Sequence, residues 1–189
     1  MQKKQNRTAV ILIHGYRATP RLHWFPWAIR EFKKRGYDVS APQMPNPSKP
    51  SAKSWVKKIE SVVKGKVGPV VFIGHSLGGT AILKYLESKN PKDGKLVDKI
   101  ILVASPLPPR NARRNSITGF YEHALNYKRI KQNVEKIIGI YSKDDPVVLL
   151  ENAAALKKKY GAQIYLFADK GHFTSEKGVN SLDVLLEII

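Results

Sequence analysis

Six short apolar runs, at residues 8–14, 37–41, 69–74, 100–104, 137–141 and 163–167, alternate with stretches of helical spacing at 24–35, 51–64, 79–88, 151–160 and 181–189. Each run is strand-sized, rich in β-branched residues and bounded by turn chemistry. A strand that is apolar on both faces has to be covered on both, and helices between successive strands supply that cover. The expected fold is therefore α/β: a three-layer, doubly wound, mostly parallel six-stranded sheet with helices on both faces, connected by right-handed crossovers. In such a sheet the ligand crevice opens where successive strands leave in opposite directions, here between the first and third strands.

At 189 residues and 42% apolar content, one domain spanning 1–189 is expected, with a core that needs no disulfide or metal support. The chain has no cysteine, which removes thiolate metal sites and a cysteine nucleophile. The apolar run at 9–13 is too short for a signal peptide core, and no window approaches a membrane span, so a cytoplasmic protein with no membrane association is expected. One segment breaks the alternation. Residues 105–133 open with SPLPPRNARRN, three prolines and three arginines, and are a candidate lid or specificity loop at a strand's carboxyl end.

The charge is lopsided, 33 Lys plus Arg against 15 Asp plus Glu, for a net of +18. The bases are scattered, several at helix C-termini where the macrodipole favours cations. No zinc-finger, RNP-type or basic-zipper pattern accompanies them, so an acidic partner on the basic surface is a candidate and dedicated nucleic-acid binding is not expected.

Chemistry is written most legibly after the third strand, where VVFIG runs into GHSLGG and then TAILKYLES. This is GxSxG in strand, turn, helix context: the serine sits on a sharp turn, and the small residues around it let strand and helix backbones approach. Ser76 is the candidate nucleophile, and the amide of Leu77 can donate to a developing oxyanion. A phosphate loop is excluded because Thr80 stands where its lysine belongs.

Of five histidines, only His123 and His172 follow Ser76 in the order Ser, acid, His expected on this scaffold. His172, in DKGHF after the last strand, is the candidate base, whereas His123 lies in the excursion and reads as a surface residue. His14 and His75 read as structural hydrogen-bonding residues. The orienting acid should follow the fifth strand, where SKDDPVV offers two adjacent carboxylates. Asp145 is favoured because Pro146, Val147 and Val148 can fix and pack it; Asp144 is its rival, and Asp169 a third candidate. The loop HGYRATP after the first strand supplies a second oxyanion donor in the amide of Tyr16.

Trp24, Phe25 and Trp27, with Leu77, Val147 and Phe173, are candidates for an apolar substrate pocket, set against ordinary core packing. Arg110, Arg113 and Arg114 would attract an anionic substrate if their loop folds over the site.

Taken together, ILIHGY, HWFPW, APQMPNPSKPSAKSW, GHSLGG, SKDDPVV and KGHF resemble the α/β-hydrolase superfamily, and more narrowly its small serine hydrolases of the retinoblastoma-binding protein nine and YdeN type. The likeness spans nearly the whole chain. It implies Ser76 as nucleophile, Asp145 as orienting acid, His172 as base and the amides of Tyr16 and Leu77 as oxyanion hole. It also implies cofactor-free hydrolysis of a small ester, thioester or amide through an acyl-serine intermediate. An acyltransferase or thioesterase would use the same residues, and a basic scaffold protein with weak catalysis is the reading from a different class.

Overall fold

The computed structural model describes residues 7–90, 96–109 and 117–189. Strand β1 (Ala9–Ile13) shows why the sheet needs two covers. Successive side chains point to opposite faces, so Ala9, Ile11 and Ile13 enter one apolar core while Val10 and Leu12 enter another. In β3 (Val70–His75), Phe72 joins the first core and Val71 and Ile73 the second.

The remaining strands are β2 (Asp38–Ser40), β4 (Val97–Val103), β5 (Val134–Ser142) and β6 (Gln163–Phe167). They lie in the order β2-β1-β3-β4-β5-β6, and every neighbouring pair is parallel. The winding direction reverses between β1 and β3, the crevice position expected from the sequence.

Helices α2 (Ala52–Val63), α3 (Leu77–Ser88), α4 (Tyr127–Asn133) and α5 (Glu151–Tyr160) seal the first core, through residues such as Trp55, Leu83, Ile130 and Leu156. Helices α1 (Phe25–Lys34) and α6 (Val184–Ile188) seal the second with Phe25, Ala28, Phe32, Leu185 and Ile188.

Boundaries differ from the sequence reading where polar residues or glycines intervene. Strands β4 and β5 start earlier, at Val97 and Val134, because the pairs Asp98-Lys99 and Glu135-Lys136 interrupt the apolar pattern at their amino ends. Helix α3 starts two residues before the expected Gly79, since Gly78 and Gly79 are poor helix formers that backbone packing nevertheless demands. Helix α4 opens with the Asn126 side chain accepting from the Arg129 N–H, a cap that satisfies one orphan donor.

The described part of the 105–133 excursion is tied to the body. Thr118 forms a parallel bridge with Ser51, its carbonyl accepts from Ala52 N–H at 2.9 Å, and Phe120 is buried with its ring 5.6 Å from that of Trp55. Among the described residues no helix is long and apolar enough to cross a membrane.

Candidate active site

Strand β3 delivers Ser76 to the crevice and α3 leaves immediately after it. The turn is abrupt: Ser76 has φ 52 and ψ −123, a conformation that costs a non-glycine residue about 1–3 kcal/mol. It is held by the Ser76 N–H bond to the Val103 carbonyl at 2.9 Å and by the Gly79 N–H bond to the Ser76 carbonyl at 3.0 Å. The glycines permit the approach. A Cβ on Gly74 would sit 2.5 Å from the Gly79 backbone, and one on Gly78 would sit 2.1 Å from the Ile13 carbonyl oxygen. Helix α3 thus packs on β3 behind the serine and on the end of β1 beside it.

The loops after β5 and β6 reach the same point. His172 Nε2 lies 2.9 Å from Ser76 Oγ, and His172 Nδ1 lies 2.9 and 3.1 Å from the two Asp145 oxygens. These bonds suit the tautomer in which Nδ1–H donates to Asp145, leaving Nε2 to accept the serine proton. Asp145 is 6% exposed, and its Oδ1 also accepts the N–H groups of Val147 at 2.8 Å and Val148 at 3.0 Å. A buried carboxylate so surrounded by donors is fixed in place beside the imidazole.

Asp144 points the other way. It accepts from Ser142 Oγ at 2.6 Å, from the Gly171 N–H at 2.7 Å and from Lys177 Nζ at 3.3 Å. Those donors, the Ser142 hydroxyl foremost, hold its carboxyl at about 2. Ser142 Oγ in turn accepts the Lys170 N–H at 2.8 Å. One of the adjacent acids therefore faces the imidazole while the other grips the backbone that carries it. Asp169 and His123 are exposed.

Beside Ser76, the loop after β1 is set by His14. Its Nδ1–H donates to the Gly15 carbonyl at 2.9 Å, and its Nε2 accepts the Met44 N–H at 2.9 Å. Burial keeps this ring neutral by lowering its pKa. A Cβ on Gly15 would meet Ser76 Cβ at 3.1 Å, so the segment carrying Tyr16 runs against the serine. Arg17, next along, donates its N–H to Pro47 in the MPNP loop at 2.9 Å. Leu77 opens α3, and the first N–H groups of a helix lack intrahelical acceptors.

The geometry corrects part of the expected substrate pocket. Trp24, Phe25 and Phe173 are at most 1% exposed and belong to the core under α1 and α6, as is the side chain of Leu77 in the opposite core. Phe25 is on the sheet-facing stripe of α1 with Ala28 and Phe32, and Trp24 directly precedes it, so these two pack in the core and offer no surface to a ligand. Trp27 is half-buried and Val147 is 37% exposed. Arg110, Arg113 and Arg114 lie outside the described residues.

A family model described as serine hydrolase matches residues 10–188. The chain belongs to the serine hydrolase family. This serine hydrolase is 30% identical over 183 residues to the hydrolase YdeN of Bacillus subtilis, covering 95% of the chain and 93% of the relative. It is 25% identical over 151 residues to the serine hydrolase RBBP9 of Rattus norvegicus, covering 79% and 77%. The crystal structure of the ydeN gene product from B. subtilis superposes with a TM-score of 0.85 at 26% identity, over 96% of both chains. The fold is that of the α/β hydrolases, and the chain is a hydrolase.

Two contacts beside Ser76 and His172 were not read from the sequence: the grip of Asp144, there only a rival acid, on the Gly171 backbone, and the partner of His75, whose reading as a structural hydrogen-bonding residue agrees with its bond to the His172 carbonyl. A pair of acids straight after a strand was the available signal for the first. For the second there was none, because its partner is a backbone atom 97 residues away. Among the described residues no group of three or more His, Cys, Asp or Glu is placed to hold a metal ion.

Proposed function

We propose that this hydrolase cleaves a small ester, thioester or amide through an acyl-serine intermediate, with Ser76 as nucleophile, His172 as general base and acid, and Asp145 as orienting acid. Ser76 Oγ bonds to the acyl carbon as its proton passes to His172 Nε2, and the carbonyl electron pair moves onto oxygen. The amides of Tyr16 and Leu77 stabilise that oxyanion. Collapse breaks the bond to the leaving group, which takes the proton from His172. Water then gives a proton to His172 and attacks the acyl carbon; collapse returns that proton to Ser76 and releases the acid.

Asp145 holds the tautomer and stabilises the imidazolium. Proton transfer of this kind contributes about 10²–10⁴-fold, and one oxyanion donor about 10²–10³-fold. The observation that carries the reading is the unbroken chain of 2.9 Å contacts from hydroxyl through imidazole to a buried carboxylate.

A fluorophosphonate probe followed by peptide mass analysis tests it. Modification is expected on Ser76 and is expected to vanish in Ser76→Ala, together with hydrolysis of p-nitrophenyl acetate. Modification of another serine, or undiminished hydrolysis by Ser76→Ala, would overturn the assignment.

A further inference from the structure

His75 ends β3, directly before Ser76, and is buried yet unused in the chemistry proposed above. Its Nε2–H donates to the backbone carbonyl oxygen of His172 across 2.8 Å. Its Nδ1 has no hydrogen-bond partner among the described residues. The ring stands edge-on to Trp24 and His23, with centroids 6.1 and 5.7 Å away, and its centroid is 5.1 Å from that of His172. Burial, and then the neighbouring His172, hold its pKa down at about 3, with His23 and His14 acting in the same direction. His75 is therefore an uncharged donor.

An apolar side chain would fill this position without leaving a nitrogen unpaired. What an imidazole adds is the donor, and that donor goes to one atom of the base's own backbone. The turn it grips needs holding. Gly171 and Phe173, on either side of His172, have φ of 51 and 54, and such a conformation persists in a bulky residue only where its surroundings over-determine it. Asp144 takes the Gly171 N–H on one side of the turn, and His75 takes the His172 carbonyl on the other.

We propose that His75 is a positioning residue for the base: by holding the His172 carbonyl it keeps the imidazole at 2.9 Å from Ser76 Oγ. Nucleophile and base then hang from the same end of β3, one through a peptide bond and the other through a hydrogen bond. This rests on the reading of Ser76 and His172 given under Proposed function. A shift of about 1 Å in a reacting group costs on the order of 100-fold in rate, so a single well-placed donor suffices to matter.

The test compares His75→Leu, which fills the space without a donor, with His75→Gln, whose amide can reach the same carbonyl. Hydrolysis of p-nitrophenyl acetate and the rate of fluorophosphonate labelling are read on chains shown to be folded by circular dichroism. His75→Leu is expected to lower kcat about 10–100-fold with KM within about twofold, and His75→Gln to recover most of that loss. Wild-type kcat in His75→Leu, or equal losses in folded Leu and Gln variants, would overturn the proposal.

Should His75→Leu not fold, His75→Asn replaces it, since its shorter amide cannot span to the carbonyl; equal rates for Asn and Gln then count against the positioning role. Labelling of the wild-type chain at Ser76 separates the two levels of failure. If it is present and His75 proves dispensable, only the positioning role falls, whereas its absence removes the triad reading and this inference with it.

Discussion

Ser76 pays for its exposure at the top of β3 with a backbone conformation that suits glycine better than serine. Strain held for function is recoverable as stability once function is given up. Ser76→Gly is therefore expected to be more stable than Ser76→Ala by about 1 kcal/mol, both being inactive, as read from urea unfolding midpoints. Equal midpoints would show that the turn carries no such cost. At Asp145 the expected effect is on rate. Asp145→Asn keeps the shape and one acceptor for the Val147 and Val148 amides but withdraws the charge, and an amide facing Nδ1 favours the wrong imidazole tautomer. A fall in kcat of about 10³–10⁴-fold for p-nitrophenyl acetate, with near-native thermal stability, is the expected outcome.

Between elements, the loop after β5 grips the loop after β6 through Asp145, which meets the His172 ring, and through Asp144, which takes the Gly171 backbone N–H and pairs with Lys177. The second link has a pH signature. The Asp144 carboxyl sits at about 2 in the folded chain against an ordinary 3.8, so the unfolded chain binds its proton first as pH falls. Its contribution is complete above about pH 4 and is lost as pH drops toward 2. Melting curves between pH 5 and 2 should show a shallower acid decline for Asp144→Asn than for the wild type, and parallel declines would argue that the link is idle.

The element scale is also where the sequence was partly misleading. In GHSLGG the helix is expected from Gly79, yet α3 already starts at Leu77 and takes in Gly78, and glycine is required at 78 and 79 because the end of β1 and Ser105 press against them. The block HWFPW reads equally as pocket or core from its spacing; packing of Trp24 and Phe25 against the strands decided for core.

Over the whole molecule, the net charge of +18 acts on stability through self-repulsion, which the folded chain concentrates and salt screens. The 15 acids are outnumbered by 33 bases, and ion pairs such as Glu31 with Arg30 and Lys34, and Asp38 with Lys66, offset the excess only locally. Raising sodium chloride from 20 mM to 500 mM, which shortens the Debye length several-fold, is expected to raise the melting temperature. A flat or falling response would mean that local ion pairs outweigh the net field.

The sequence by itself determined the alternation of strands and helices, and with it the switch point between β1 and β3. It also determined that Ser76 stands on a strand-to-helix turn. These follow from periodicity and from residues whose conformational needs are local. Tertiary structure alone decided which of two adjacent acids faces the His172 imidazole, which aromatic residues are core, and that His75 donates to the His172 carbonyl. Those outcomes depend on where separate loops end in space, and a hydrogen bond to a backbone atom leaves no mark on the residue that accepts it.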